Sequence, residues 1–471
     1  MTHVVVIHGL RTISRQTNVD NVLSLSRNLR CQKITNVNVF GRIPRNISSD
    51  VVILTYDALA LRTWPIWNQI VNRITPLIES TPVRIAFPQD DYTSCQILDE
   101  FFSSAKVKHV YSPIKSDLEV LYPKSTSGSI RFAEALTGYV DNNFTKRAAK
   151  FSRPFASREL DLGQRVRLLD PHLGSRAAHK AEVAVQFAVA AENMGFSCDV
   201  STRPGDVLLG ENWYRFLGNS RFTVGAKGGA SIADPRGKLA DKVRRMKVRH
   251  PHLSHRELGD RLDLSDVMRG DFSAISPRLF EAAAMGTCQI LLRDHYFEGF
   301  EPWKHYVPLD SGDAIDSRLW EVMRDFDLAL EIVQASQEFL IETERFTYAS
   351  FLARVALETG IQQSDEGTVI NDSSADLDVA VGNSNQVLPW LQSYLSRAIS
   401  RGILKRVERE LKAGRFLQLT DSDSDYSDHV DANREKILSW IDAFRGGDLM
   451  IESLVVPWRT ASSFMSFPTD H

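Results

Sequence analysis

Two stretches of this sequence alternate short apolar runs with longer segments of helical periodicity, and that alternation leaves few folds open. In the first, HVVVIHG at 3–9, VNVFGRI at 37–43, DVVILTYDAL at 50–59, VRIAF and KHVYSPI read as strands. Helical segments separate them at 20–29, at 65–80 and in SCQILDEFFSS. Runs such as VVVI do not alternate apolar with polar residues, which marks strands buried on both faces. In the second stretch, from about residue 155, LGQRVRLL, SCDVS, RFTVG and CQILL read as strands among helices at 176–195 and 211–220. Each stretch predicts a parallel sheet with helices on both faces. We expect units at 1–152 and 153–361, an acidic Ser/Asn-rich linker at 362–386, and a helical extension at 387–471.

Charge and cysteine usage narrow the function. A net charge of −3 is the wrong sign for a general nucleic-acid binder. The four cysteines are scattered, with no CxxC or Cys/His cluster, so neither structural zinc nor a disulfide framework is expected. MTHVVVIHGL lacks the basic start and cleavage site of a signal peptide, and no window is long and apolar enough to span a bilayer. The expectation is a cytoplasmic protein; membrane contact, if any, would be peripheral and at the inner face.

The densest information lies in SPRLFEAAAMGTCQILLRDHYFEGFEPWKHYVPLD, 276–310. Ser276 reads as an N-cap and Pro277 as the first helical residue, while Gly286 supplies a left-handed stop. Glu281 lies inside this otherwise apolar helix. A carboxylate there can accept ribose hydroxyls while the helix start receives a diphosphate; the plainer reading is a half-exposed helix glutamate. FEAAAMGTCQIL resembles the nucleotide-sugar motif of glycosyltransferase group 1, the retaining GT-B enzymes. SPR-x-FEA followed by PW-x-HY-x-PL, here PWKHYVPL at 302–309, resembles bacterial surface-polysaccharide glycosyltransferases. The resemblance spans roughly residues 1–360.

That resemblance implies a GT-B fold: two Rossmann-like doubly wound domains facing a cleft, donor in the second and acceptor in the first. It implies a nucleotide sugar as donor substrate, no cofactor, no obligatory metal, and a glycan or lipid-linked glycan as acceptor. Glu281 would be the second member of a Glu-x7-Glu pair whose first position is occupied by Ser273, so retention or inversion stays open. A non-catalytic scaffold and a nucleotide-sugar epimerase are alternatives on the same fold.

For the diphosphate, the resemblance points to Lys180 with Arg165 or Arg167, and the choice of arginine stays open. The glycine-rich loop 226–231, with Lys227, Gly228 and Gly229, lets backbone approach a ligand, and Ser276 and Arg278 complete the donor set. In the first unit, predicted strand ends carry His8, Tyr56 with Asp57, and Asp90, Asp91 and Tyr92. Asp91 is the candidate acceptor base and His8 the second. Tyr56, Asp57, Asp90 and Tyr92 form the acceptor side. The competing readings are an N-cap aspartate and a structural histidine. Finally, 236–249 holds seven Lys/Arg, a surface for anionic lipid or simply a solvated helix.

Overall fold

The computed structural model describes residues 2–363 and Val369–Ile370, apart from 11–15, 42, 45–46, 65, 209, 251 and 311–314. Most of the linker at 362–386 and all of 387–471 lie outside the described residues.

The first sheet contains β1 (His3–His8), β2 (Lys33–Asn38), β3 (Val51–Leu54), β4 (Val83–Ala86), β5 (His109–Ser112) and β6 (Arg131–Glu134). The second contains β7 (Leu160–Arg165), β8 (Cys198–Ser201), β9 (Ser220–Gly225), β12 (Cys288–Leu292) and β13 (Val307–Leu309), with a separate hairpin of β10 (Gly228–Ala233) and β11 (Met268–Ala274). A last strand, β14 (Val369–Ile370), joins the first sheet beside β2. The orders are β14-β2-β1-β3-β4-β5-β6 and β13-β12-β9-β7-β8, and both sheets are wholly parallel.

Alternate side chains along β1 enter different cores. Val5 and Ile7 pack with Leu54, Ile70 and Phe102, whereas Val4 and Val6 pack with Leu25, Ile53 and Val355. Both faces are therefore dry, which is why the run shows no polar alternation. The second sheet is covered likewise, with Phe222 and Ile290 under the helix Ser175–Asn193 and Leu291 under the helix Arg278–Ala284. This is the expected two-unit α/β arrangement, each unit built on a wholly parallel sheet with helices on both faces.

Four features depart from the sequence expectation. β2 lies earlier than VNVFGRI, because Asn38 Oδ1 accepts from Phe40 N at 2.9 Å and turns the chain out of the strand. β6, β11 and β13 were not anticipated; RFAE and MRGDFSA carry too few apolar residues to read as strands, and VPL, three residues long, lies in a segment read as loop. The segment 226–231 is mostly strand β10 rather than loop. Gly229 has φ +112°, and a Cβ there would meet Phe272 O at 2.1 Å, so its glycine serves strand pairing. The helix Tyr348–Thr359, placed in the second unit by a boundary at 361, packs Phe351, Leu352 and Val355 against the first sheet. Linker residues Val369–Ile370 then extend that sheet.

The hairpin fastens the units together. Ala230, Ala233 and Phe272 share a core with Ile114, Leu121 and Tyr122 of the first unit. Asp234 N donates to Tyr92 O at 2.8 Å, and Ser94 N donates to Asp234 O at 2.7 Å.

Candidate functional site

The carboxyl ends of β7, β9 and β12 open onto a small pocket of about 30 Å3 lined by Gln164, Lys180, Trp213, Thr223, Ser276 and Arg278 among others. Ile275 and Tyr296 line this pocket and also a cavity of about 180 Å3 between the two units. The first unit contributes Lys115, Glu134 and Thr137 to that cavity, from the ends of β5 and β6; the second contributes Lys227, Asp271, Ser273 and His295. The two cavities adjoin at Ile275 and Tyr296, one at the second sheet's strand ends and the other in the gap between the sheets, where parallel α/β sheets bind ligands.

The pocket is cationic. Lys180 is half-buried, with no ion pair or hydrogen bond among the described residues. Its ammonium lies deep beside the strand ends. Desolvation, then the Arg278 guanidinium, push it down to about 7, against the pull of Glu281. Arg278 donates to Gln164 Oε1 at 3.2 Å and to the Arg165 carbonyl, and its guanidinium lies 4.9 Å from the Trp213 ring centroid. These bonds fix the guanidinium at the pocket wall.

Glu281 does not reach the pocket surface. It is buried, its Oε2 accepts from Trp213 Nε1 at 2.7 Å, and burial raises its carboxyl above the usual range despite Arg278. Trp213, rather than Glu281, lines the pocket. The helix begins at Arg278 with no side-chain cap; Leu279 N donates to Ser276 O at 3.1 Å, so Ser276 closes the turn through its carbonyl, not its hydroxyl.

The arginines separate clearly. Arg165 is ion-paired to Asp199 at 2.7 Å, with its guanidinium 4.2 Å from the Phe216 ring centroid, so it is committed to joining β7 and β8. Arg167 is exposed and outside both cavities. Neither belongs to the pocket; Arg278 takes the place expected of them. Lys227 pairs with Asp294 at 3.0 Å on the cavity wall. Gly228 and Gly229 pair with Ala274 and Ser273 in the hairpin and line neither cavity.

In the first unit, none of the residues expected to act on the acceptor lines either cavity. Asp91 is fully buried; its Oδ2 accepts from Ser112 Oγ and Tyr122 OH, both at 2.7 Å, and burial raises its carboxyl. No substrate hydroxyl can reach it. Asp57 accepts from Thr55 Oγ1 at 2.7 Å and from Gly9 N, holding the turn after β1. His8 is buried beside that turn, with Leu10 N donating to its Nδ1 at 3.4 Å. Asp90 accepts from Tyr56 OH at 3.1 Å and Tyr92 OH at 2.9 Å, a surface cluster outside the cavity.

Apart from Lys227, the charged groups that face the cavity were missed. Glu134 and Lys115 form an ion pair at 2.7 Å, and Asp271 is held by Arg176 at 3.1 Å. Asp271 and Ser273 are two apart on β11, hence on the same strand face. His295 stands just after β12, and its place in the quoted stretch was the only available signal for it. His305 of PWKHYVPL is buried instead, its Nδ1 accepting from Glu301 N at 2.8 Å and its ring stacked on Phe300 at 5.3 Å. Among the described residues no group of three His, Cys, Asp or Glu could hold a metal, and no helix is long and apolar enough to cross a membrane.

No family model and no curated protein matches this chain. Several solved structures are similar in chain path. An alpha-glucosyltransferase in complex with UDP and a 13-mer DNA containing a HMU base is 10% identical, over 76% of this chain and 98% of that one, with TM-score 0.43. Anabaena HepE in complex with UDP and glucose is 8% identical, over 76% and 100%, with TM-score 0.41. Sucrose-phosphate synthase from Thermosynechococcus elongatus is 10% identical, over 76% and 98%, with TM-score 0.40. At these values the likeness carries no argument about chemistry.

Proposed function

We propose that this chain is a glycosyltransferase that moves a sugar from a nucleotide-sugar donor to a glycan or lipid-linked glycan acceptor. The observation that carries the reading is the pair of adjoining cavities: one at the strand ends of the second sheet, with Lys180 unpaired among the described residues and Arg278 fixed, beside a polar one walled by both units. A leaving diphosphate needs charge stabilisation in a water-poor site, and Lys180 with Arg278 supplies it. The sugar then lies toward the cavity, and an acceptor hydroxyl approaches from the first unit. Glu134 is the first-unit carboxylate on the cavity wall, oriented by Lys115, and is the group assigned to accept the hydroxyl proton. The likeness of FEAAAMGTCQIL to group 1 transferases supports the same donor class, and PWKHYVPL supports a surface-glycan acceptor.

Incubating the full-length chain with a panel of nucleotide sugars, with and without glycan acceptors, tests this. Acceptor-dependent release of nucleoside diphosphate is the expected result. Isomerised sugar without release identifies an epimerase, and binding without turnover identifies a scaffold; either outcome overturns the transferase.

A further inference from the structure

The β10–β11 connection carries the helix Lys238–Arg249, whose charges fall into two sets. Arg244 pairs with Asp241 and Lys247 with Asp170, while Val243 is buried beneath. Lys238, Lys242, Arg245 and Arg249 are exposed and form no ion pair or hydrogen bond among the described residues. Their spacing of four, three and four residues keeps them within an arc of about 60° and along about 16 Å of the helix. Arg256 and Arg261, also exposed and without an ion pair among the described residues, follow on the next segment, where Asp263 feels the charge of Lys242 and Glu257 that of Arg261.

The helix is also firmly held. Arg236, just before it, reaches Glu100 of the first unit at 2.6 Å, and Val243 seats it from below. It is therefore a fixed cationic ridge. Among the described side chains of 236–266 no large apolar one is exposed, and no Phe, Tyr or Trp occurs there. The ridge thus offers neither a large apolar group to insert between acyl chains nor a large aromatic ring on which to stack a base. A planar anionic surface satisfies a straight, exposed row of cations without either device.

We propose that the solvent face of the helix Lys238–Arg249 is an electrostatic docking surface for an anionic lipid bilayer. The proposal is independent of sugar transfer, because none of the four residues lines the crevice. The full-length chain is to be sedimented with vesicles of phosphatidylcholine alone, or with 30% phosphatidylglycerol, at low and high salt. Partition onto the anionic vesicles alone, abolished by high salt, is expected. Each neutralisation among Lys238→Gln, Lys242→Gln, Arg245→Gln and Arg249→Gln should lower the partition coefficient about fivefold, the equivalent of about 1 kcal/mol per cation. A matched control, Lys33→Gln, Lys106→Gln, Lys108→Gln and Lys150→Gln, removes the same charge elsewhere and should retain binding. The four ridge substitutions combined in one chain should abolish binding, and an unchanged melting temperature checks that this ridge variant is folded. Absent binding, equal binding to neutral vesicles, or equal loss in the two quadruple variants overturns the proposal. Tighter, ridge-dependent binding to duplex DNA or RNA at the same salt also overturns it.

Discussion

Lys180 has ordinary helix neighbours, yet desolvation and Arg278 push its ammonium down to about 7. A nucleoside diphosphate binds the protonated form, so affinity should be higher at pH 6 than at pH 8.5. Calorimetric titration at the two pH values should show that fall in wild type and little of it in Lys180→Gln. The sign for stability follows separately. The folded value lies below the unfolded one, so the unfolded chain binds more protons between about 7 and 10.5, and stability rises with pH through that window. Lys180→Gln should flatten that slope in denaturant titrations. With these side chains neutralising the diphosphate, turnover should survive EDTA; loss restored by magnesium or manganese would refute this. Two carboxylates of the first unit should part company. Asp91→Ala strips Ser112 and Tyr122 of their buried acceptor and should cost about 1–3 kcal/mol of stability. Glu134→Ala should leave stability and nucleotide binding near wild type but sharply reduce acceptor-dependent turnover, and unchanged turnover would remove it from the mechanism.

At the scale of elements, the strands buried on both faces were legible because both faces demand apolar residues. VVVI, VVIL and CQILL have no other comfortable home. β6 and β11 were not, since an edge strand and a hairpin strand with one wet face need few apolar residues. The Arg278–Ala284 helix was legible as an element but not in its contacts. Glu281 there is pinned by Trp213, a residue 68 positions away. Trp213→Phe keeps the packing but leaves a buried carboxylate without its donor, and should lower stability by about 1–3 kcal/mol in urea unfolding. Glycines in 226–231 were legible as a need for close approach, but the approaching group is the backbone of β11 rather than a ligand.

On the scale of the whole molecule, the chain returns to its first unit after completing the second. The helix Tyr348–Thr359 fills one face of the first sheet, and Val369–Ile370 adds to the sheet's edge. A chain ending after residue 371 should therefore melt near full length and keep nucleotide binding. Ending after residue 346 removes Phe351, Leu352, Val355 and Ala356 from a dry core and should give an insoluble product. A soluble, cooperatively melting short form would show that the crossing helix is dispensable.

The local pattern of residues determined the two parallel α/β units, because strand burial and helix periodicity are written in consecutive residues. It also placed Lys180 on the helix behind the second unit's first strand and Arg278 on the helix after Pro277, while their donor role came from the family resemblance. Which polar side chains face the crevice was decided only by tertiary structure. Asp91 and Glu134 both follow or end first-unit strands, and nothing local separates them. Asp91 is turned inward by Ser112 and Tyr122, from residues 21 and 31 positions away. Glu134 reaches the cavity because β6 takes the far edge of the sheet, where the second unit closes over it. Such choices depend on strand order and on contacts between distant segments, and neither leaves a period in the sequence.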